Sequence, residues 1–210
     1  MKKTNKKILR ISGLLLLFLA LLLVVHNIIQ DKNAEKTSKQ VLAKFEESKE
    51  QLQIATRTKS ENTNTITNTL ILPDEEEEIL IVDVDGAPIV GVLEIPNIDL
   101  KLPVTVDWHE DLMWGYANLY HGENYSDSLV IMAHGNKSHF AGLNYLVEGD
   151  QVIFTDVLDR QKVYDFAGKE IIHENNVEEM IETNYPLTLF TCTLDGRSRV
   201  TVRLTEAELN

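Results

Sequence analysis

The sequence predicts a mainly β domain, closed or sandwiched, carried behind one N-terminal helix long enough to cross a membrane. Three observations point there. An uncharged run from Ile11 to Gln30 follows a cluster of cations. Short β-branched runs separated by turn residues fill the chain from Ile79 to Leu204. The segment between these two regions is polar and lacks the apolar density of a core.

The N-terminal element comes first. Lys2, Lys3, Lys6, Lys7 and Arg10 precede the apolar run, and a bilayer core needs about 20 such residues. Cations at this end keep the N-terminus in the cytoplasm and send the rest of the chain, beyond Gln30, outside. The run is long for a cleaved leader and no Ala-x-Ala-like site comes after it, so residues 1–30 are expected to be a cytoplasmic stub and an uncleaved, single-pass anchor in the cell membrane. No cysteine stands near it to carry a lipid.

Residues 31–78 are expected to be an extracellular stalk. "AEKTSKQVLAKFEESKEQLQ" has helix-forming composition, with Val41, Phe45 and Leu52 roughly on one face. "TKSENTNTITNT" has no core pattern, and "PDEEEE" is a solvated charge run. A folded domain is expected over 79–210, and a fragment beginning near Leu70 is expected to fold by itself. The chain carries a net −13, but the five N-terminal cations mask the imbalance: residues 31–210 hold 15 cations against 33 acids, a net −18. Phosphate binding needs a basic footprint, so nucleic acid is excluded as a partner class. The lipid bilayer is engaged through the N-terminal helix instead.

Within the domain the strand candidates are "ILIVDV", "IVGVLEI", "LKLPVTV", "SLVIMAH", "DQVIFTD", "KVYDF", "PLTLFTCT" and "RVTVRL". The stretch Trp108–Gly122 suits a short helix, and "NKSHFAGLNYL" and "NVEEMIETN" suit further helical turns. No internal repeat is visible.

The chemistry concentrates in "LTLFTCTLDGRSRVTVRL", residues 187–204, which holds Cys192, the one cysteine of the chain. Asp195-Gly196 is a strong hairpin turn signal. A turn centred there pairs Leu194 with Arg197, Thr193 with Ser198 and Cys192 with Arg199. Cross-strand partners share a face. Alternation then puts Leu189, Val200, Val202 and Leu204 toward the core, and Cys192 with Phe190, Arg199 and Arg203 on the other face. The thiol therefore faces a guanidinium, an electropositive setting that suits a nucleophile better than an inert buried cysteine. A thiol nucleophile needs a proton handler, usually histidine. Of six histidines, His26 lies in the anchor, His109 and His121 flank the expected helix, and His173 lies in an acidic segment. His134 ends "SLVIMAH", where a strand can present an imidazole, and His139 comes next in a loop expected to be mobile.

These residues match a family. "TLFTC" fits the Thr-Leu-x-Thr-Cys signature of the sortases, the membrane-anchored cysteine transpeptidases of Gram-positive cell surfaces, and the next strand supplies the expected arginine. "LVIMAHGNKSHFAGLNYLVEGDQVIF" resembles their second signature, a strand ending in the catalytic histidine, then Phe-x-x-Leu and a Gly-Asp turn. "GVLEIPNIDLKLPV" resembles their opening strand pair, so the resemblance runs from about Ile89 to Leu204. It implies a closed eight-stranded β-barrel and a sorting signal of the Leu-Pro-x-Thr-Gly type carried by surface proteins. The acceptor would be an amine of a peptidoglycan precursor or a pilin lysine. By motif, Cys192 is the nucleophile, His134 the general acid and base, and Arg199 the substrate-positioning and oxyanion-stabilising group. No cofactor is implied. Some relatives bind calcium near the groove, which here would draw on Asp107, Glu110, Asp111, Glu174 and Glu178; a solvated acidic surface is the favoured account of those residues.

The chain departs from the family pattern where Gly135-Asn136 follows the histidine in place of the more usual arginine, and it has no Asp-Pro-aromatic lid motif and no C-terminal membrane helix. Two other readings stay open on the residues: a surface cysteine endopeptidase with water as acceptor, and a non-catalytic surface β domain. Serine-hydrolase, P-loop and zinc-protease motifs are not present.

Overall fold

The computed structural model describes residues 2–60, 80–106, 114–122 and 128–207, with side chains placed from Arg10 to Glu50 and through the later spans. The β-branched runs form β1 (Val82–Val84), β2 (Ala87–Ile95), β3 (Leu100–Thr105), β5 (Leu129–Met132), β6 (Gln151–Asp156), β7 (Gln161–His173), β8 (Leu187–Cys192) and β9 (Ser198–Glu206). The remaining strand, β4 (Ala117–His121), falls inside the stretch expected to be helical. Its strand character comes from its neighbours: it pairs with β3 through two residues only, Val104↔Ala117 and Thr105↔Asn118, and with β5 across a bulge. Of the rest of the expected helix, residues 108–113 lie outside the described residues.

The sheet order is β1-β2-β3-β4-β5-β8-β9-β7-β6, and β6 pairs back onto β2. Strands β2 to β9 thus close an eight-stranded barrel, with β1 as a short hairpin arm on β2. The barrel is mixed, because β3–β4 and β5–β8 run parallel. Inward residues alternate along each strand and fill the centre: Leu93 and Ile95 from β2, Ile131 from β5, Leu189 from β8 and Val202 from β9 belong to one cluster. The 3₁₀ turn Phe140–Tyr145 contributes Phe140 and Leu143 to that core, both fully buried. The other expected helical stretch forms α2 (Val177–Ile181), whose Met180 packs on Val130, Met132, Ile172 and Phe190 outside the barrel.

The N-terminal element is a single helix, α1 (Lys2–Ser60). The part from Arg10 to Glu50 contains a window long and apolar enough to cross a membrane, with mean hydropathy 2.5 and none of that window buried against protein. Beyond it, the segment expected to be a stalk is packed on the barrel. Ala34, Ser38, Val41, Phe45 and Lys49 are all buried, and their spacing of three and four residues makes one helical stripe. Phe45 is fully buried among Ala87, Ile89, Val92, Tyr116 and Val157. Lys49 reaches Asp159 at 2.5 Å and Glu46 at 2.6 Å. Burial works to lower its pKa, but those two carboxylates outweigh burial and hold it above the ordinary lysine value. Lys44 pairs with Asp85 nearby. The side chain of Leu52, expected on the same face, lies outside the described residues.

This packing changes what a shortened chain should do. A fragment beginning near Leu70 would leave Ile89 and Val92, which are 0% and 2% exposed, without the cover of Phe45 and Val41. Phe45→Ala is expected to destabilise the chain by about 3 kcal/mol through lost transfer energy and a residual cavity. Urea titration of the full chain in detergent micelles measures it; a change under about 0.5 kcal/mol would mean that the helix is not part of the cooperative fold.

Candidate active site

Three neighbouring strands carry the site. The β8–β9 hairpin has the register Leu189↔Val202, Thr191↔Val200 and Cys192↔Arg199. The turn is built differently from the expected two-residue type. Gly196 N–H donates to the Thr193 carbonyl at 2.9 Å, and Gly196, with φ of 73°, is the residue of the turn with positive φ. Leu194–Arg197 is thus a four-residue loop, of the kind usually built around a type I turn. Register is preserved because Thr193 still pairs with Ser198: the Thr193 amide donates to the Ser198 carbonyl at 2.9 Å, and the Ser198 amide donates to the Thr193 hydroxyl oxygen at 3.1 Å. The Thr193 hydroxyl also donates to Asp195 at 2.6 Å, and this bond, joined by the Arg197 amide, lowers the Asp195 pKa.

On its other side β8 pairs with β5 in parallel, ending at Met132↔Phe190. The ladder continues past the strand end: Ala133 N–H donates to the Phe190 carbonyl at 3.3 Å, and the Thr191 hydroxyl donates to the Ala133 carbonyl at 2.8 Å. Extending that register by two residues puts His134 beside Cys192. Adjacent strands lie about 4.8 Å apart. Parity completes the placement. Ile131 and Ala133 belong to the inner core while Val130 and Met132 face out, so His134 faces out. Leu189 faces in and Phe190 out, so Cys192 faces out with Arg199. His134, Cys192 and Arg199 therefore stand in a row on one outer face, at the ends of β5, β8 and β9.

The surroundings suit reaction with a ligand from outside. Cys192 is a free, exposed thiol. Trp114 lies over His134, ring centroids 4.9 Å apart and 38° between planes. The chain leaves His134 over the β8 end so closely that a Cβ on Gly135 would stand 3.2 Å from the Cys192 carbonyl and 3.3 Å from Thr191 Oγ1. Glycine there lets the loop cross without displacing Cys192. Phe190, buried beneath Met180 of α2, meets exposed Tyr120 edge to face at 5.3 Å. Arg199 is half-buried, and its Nη1 donates to the carbonyls of Gly196 and Ser198 at 2.9 and 3.0 Å.

The other candidates separate clearly. Arg203 is buried, and its Nε, Nη1 and Nη2 are engaged by Glu170, Thr188, Met180 and Glu179, which fastens α2 to the barrel. Arg197 is exposed on the loop. His121 and His173 are exposed, and His109 lies outside the described residues, as do Asp107, Glu110 and Asp111. Among the described residues no group of three or more His, Cys, Asp or Glu is arranged to hold a metal ion.

His139 corrects the expectation of a mobile loop residue. It is 0% exposed, its ring centroid is 6.3 Å from that of His134, and neither ring nitrogen has a hydrogen-bond partner. Trp114, whose ring lies on that of His134, is the residue that sequence reasoning missed, and the burial of His139 beside the same ring is the feature it did not foresee. Burial pushes the His139 pKa down to about 4, and the nearby His134 adds to the shift. The unfolded chain binds the proton at the ordinary 6.5. Stability held by the neutral imidazole is therefore full above pH 6.5 and is lost as pH falls toward 4, an effect of about 3 kcal/mol. His139→Leu is expected to flatten the fall in melting temperature over that window, and parallel curves for wild type and variant would contradict the assignment.

With the geometry in place, comparison with known proteins is informative. The family model described as the Sortase domain matches residues 93–207, more than half of the chain. Among solved structures, sortase C1 from Streptococcus agalactiae superposes with a TM-score of 0.51 at 22% identity, covering 61% of this chain and 72% of that one. A lid mutant of sortase A from Corynebacterium diphtheriae gives 0.52 at 20% identity, covering 59% and 73%. At these identities the likeness is one of fold. No curated protein sequence matches the chain. Family match and barrel architecture agree, and the chain belongs to the sortase family.

Proposed function

We propose that this protein is a membrane-anchored cysteine transpeptidase that cleaves a Leu-Pro-x-Thr-Gly-like sorting signal between Thr and Gly and passes the acyl fragment to an amine. The observation that carries the reading is the lateral succession His134, Cys192, Arg199 on adjacent strand ends. The family membership supports it, as does the apolar N-terminal helix, which would leave the barrel outside the cell with the N-terminus in the cytoplasm. The donors would be surface proteins bearing the signal. The acceptor would be a peptidoglycan-precursor amine or a pilin lysine.

The chemistry follows from these residue types. The Cys192 thiolate attacks the threonine carbonyl carbon, forming an S–C bond and moving the carbonyl electron pair onto oxygen. Collapse re-forms the carbonyl and breaks the C–N bond, while His134 gives its proton to the departing glycine amine. A thioacyl-enzyme remains. An incoming amine then attacks the thioester carbon, His134 takes the proton from that nitrogen, and Cys192 leaves as thiolate. Arg199 is permanently charged and planar, so it can meet developing oxyanion charge with a forked pair of donors. Its Nη1 is already steadied by two carbonyls of the hairpin, while Nε and Nη2 make no hydrogen bond among the described residues. Tyr120, 40% exposed and braced edge to face on buried Phe190, offers an apolar surface to the leucine and proline of the signal.

Incubating the protein with a signal-peptide library, with and without amines, and reading products by mass spectrometry tests the reading. Amine adducts at threonine are expected; hydrolysis products alone under saturating amine would favour an endopeptidase. Cys192→Ala and His134→Ala should abolish turnover. Arg199→Ala is expected to lower kcat/KM by several orders of magnitude, about 3–5 kcal/mol of transition-state stabilisation, and Arg199→Lys should recover little. Arg197→Ala should stay within about tenfold of wild type, ~1.4 kcal/mol. Arg203→Ala should lower the melting temperature, since its donors are committed to α2. A damaging Arg197→Ala beside a mild Arg199→Ala would sink the assignment of the arginine.

A further inference from the structure

Both segments that flank His134 are held by the first turns of α1 beyond its apolar run. In the loop just after His134, the Ser138 hydroxyl donates to the Asp31 carbonyl at 2.7 Å. On the opposite side, the Ser38 hydroxyl donates to the Gly115 carbonyl at 2.9 Å, one residue from the Trp114 ring that covers His134. The approach there is tight. A Cβ built on Gly115 would stand 2.5 Å from Thr37 Cγ2 and 3.3 Å from Thr37 Cβ. Threonine is short and branched at that carbon, so it cannot swing away as a long side chain would. Ser38 is itself 4% exposed, buried in this contact.

We propose that the Asp31–Ser38 stretch of α1 is a positioning element for His134. Through Gly115 and Trp114 on one side and Ser138 on the other, it sets where the imidazole stands relative to Cys192. The proposal rests on the reading of His134 as the group that moves the proton. Neither Thr37 nor Ser38 is placed at the reacting atoms, so the effect is one of geometry. Proton transfer is sensitive to such placement, and a displacement of about 1 Å from a remote change can cost on the order of a hundredfold. The ring of His134 sits on a loop whose amide at Phe140 returns to the His134 carbonyl at 2.9 Å. Buried His139 and Phe140 seat the far end of that loop, and α1 adds a restraint between them and His134, at Ser138.

The test uses the full chain in detergent micelles and two residues that touch no substrate. Gly115→Ala introduces the carbon that meets the Thr37 methyl, and Thr37→Ser removes that methyl. Gly115→Ala is expected to lower kcat about tenfold or more while KM for the signal peptide changes less than about twofold. It should also move the ring resonances of His134 in nuclear magnetic resonance spectra, because the Trp114 ring current falls on them. The Gly115→Ala/Thr37→Ser pair should recover most of both effects. Ser138→Ala, which cuts the tie to Asp31, should lower kcat in the same direction by a smaller factor. Unchanged kcat and His134 resonances in Gly115→Ala would overturn the proposal, and so would a loss that Thr37→Ser does not recover. A lower melting temperature with the His134 resonances unmoved would overturn it too. If His134→Ala retained full turnover, the functional reading would fail separately, and the ring resonances would still decide the positioning.

Discussion

The parallel pairing of β5 with β8 is the constraint from which the site is built. Four ladder pairs, from Leu129↔Leu187 to Met132↔Phe190, fix the offset between two segments that lie far apart in sequence. Both strands are buried along this contact, so the register cannot slip by one residue without turning Leu189 and Ile131 out of the core and driving Phe190 and Met132 into it. That penalty holds His134 beside Cys192. The β8–β9 hairpin then adds Arg199 on the far side by the same parity. Three reactive side chains are brought together by packing at positions that carry none of the chemistry.

How much of this was legible in the sequence differs from element to element. The β8–β9 register could be read because a hairpin is local: Asp195-Gly196 marks the turn and the apolar alternation of Leu189, Val202 and Leu204 marks the inner face. The turn itself closed through Thr193 and Ser198 rather than through Leu194 and Arg197, a change that kept parity and so cost the site nothing. Placing His134 next to Cys192 needed the long-range β5–β8 pairing, which periodicity cannot supply; the family signature provided it. β4 was misread for a physical reason. It is held by two pairs to β3 and a bulged edge to β5, so its strand state is imposed by neighbours, while the stretch Trp108–Gly122 reads as an interruption between β-branched runs.

The segment from 31 to 50 shows the same limit from the other side. Its polar composition reads as a solvated rod, since Lys, Glu and Gln dominate the sequence. Burial here rests on a stripe one residue wide: Ala34, Ser38, Val41, Phe45 and Lys49. Two of those five are polar, and one is a lysine paired with Asp159 and Glu46. A stripe this narrow and this polar is hard to tell from a free helix until its partner surface is known. His139 is the converse case, a polar residue in a loop segment that proves to be as buried as the aliphatic core.

One consequence of the continuous α1 helix concerns distance. Its contacts to the barrel, from Asp31 to Lys49, are spread over about 27 Å of helix axis. The end nearest the apolar run is the end that bears His134. An arm of this kind works as a ruler rather than a tether: it sets the altitude of the Cys192 thiol above the apolar run and its compass bearing about the axis. Adding a single residue within it would turn the barrel by about 100° and lift it by about 1.5 Å. With the apolar run in a membrane, as proposed, a barrel mounted this way would meet its partners by sliding in the membrane plane and spinning about its own anchor, its height set by the arm. Its search would be planar, and only chains presented at that altitude would be found.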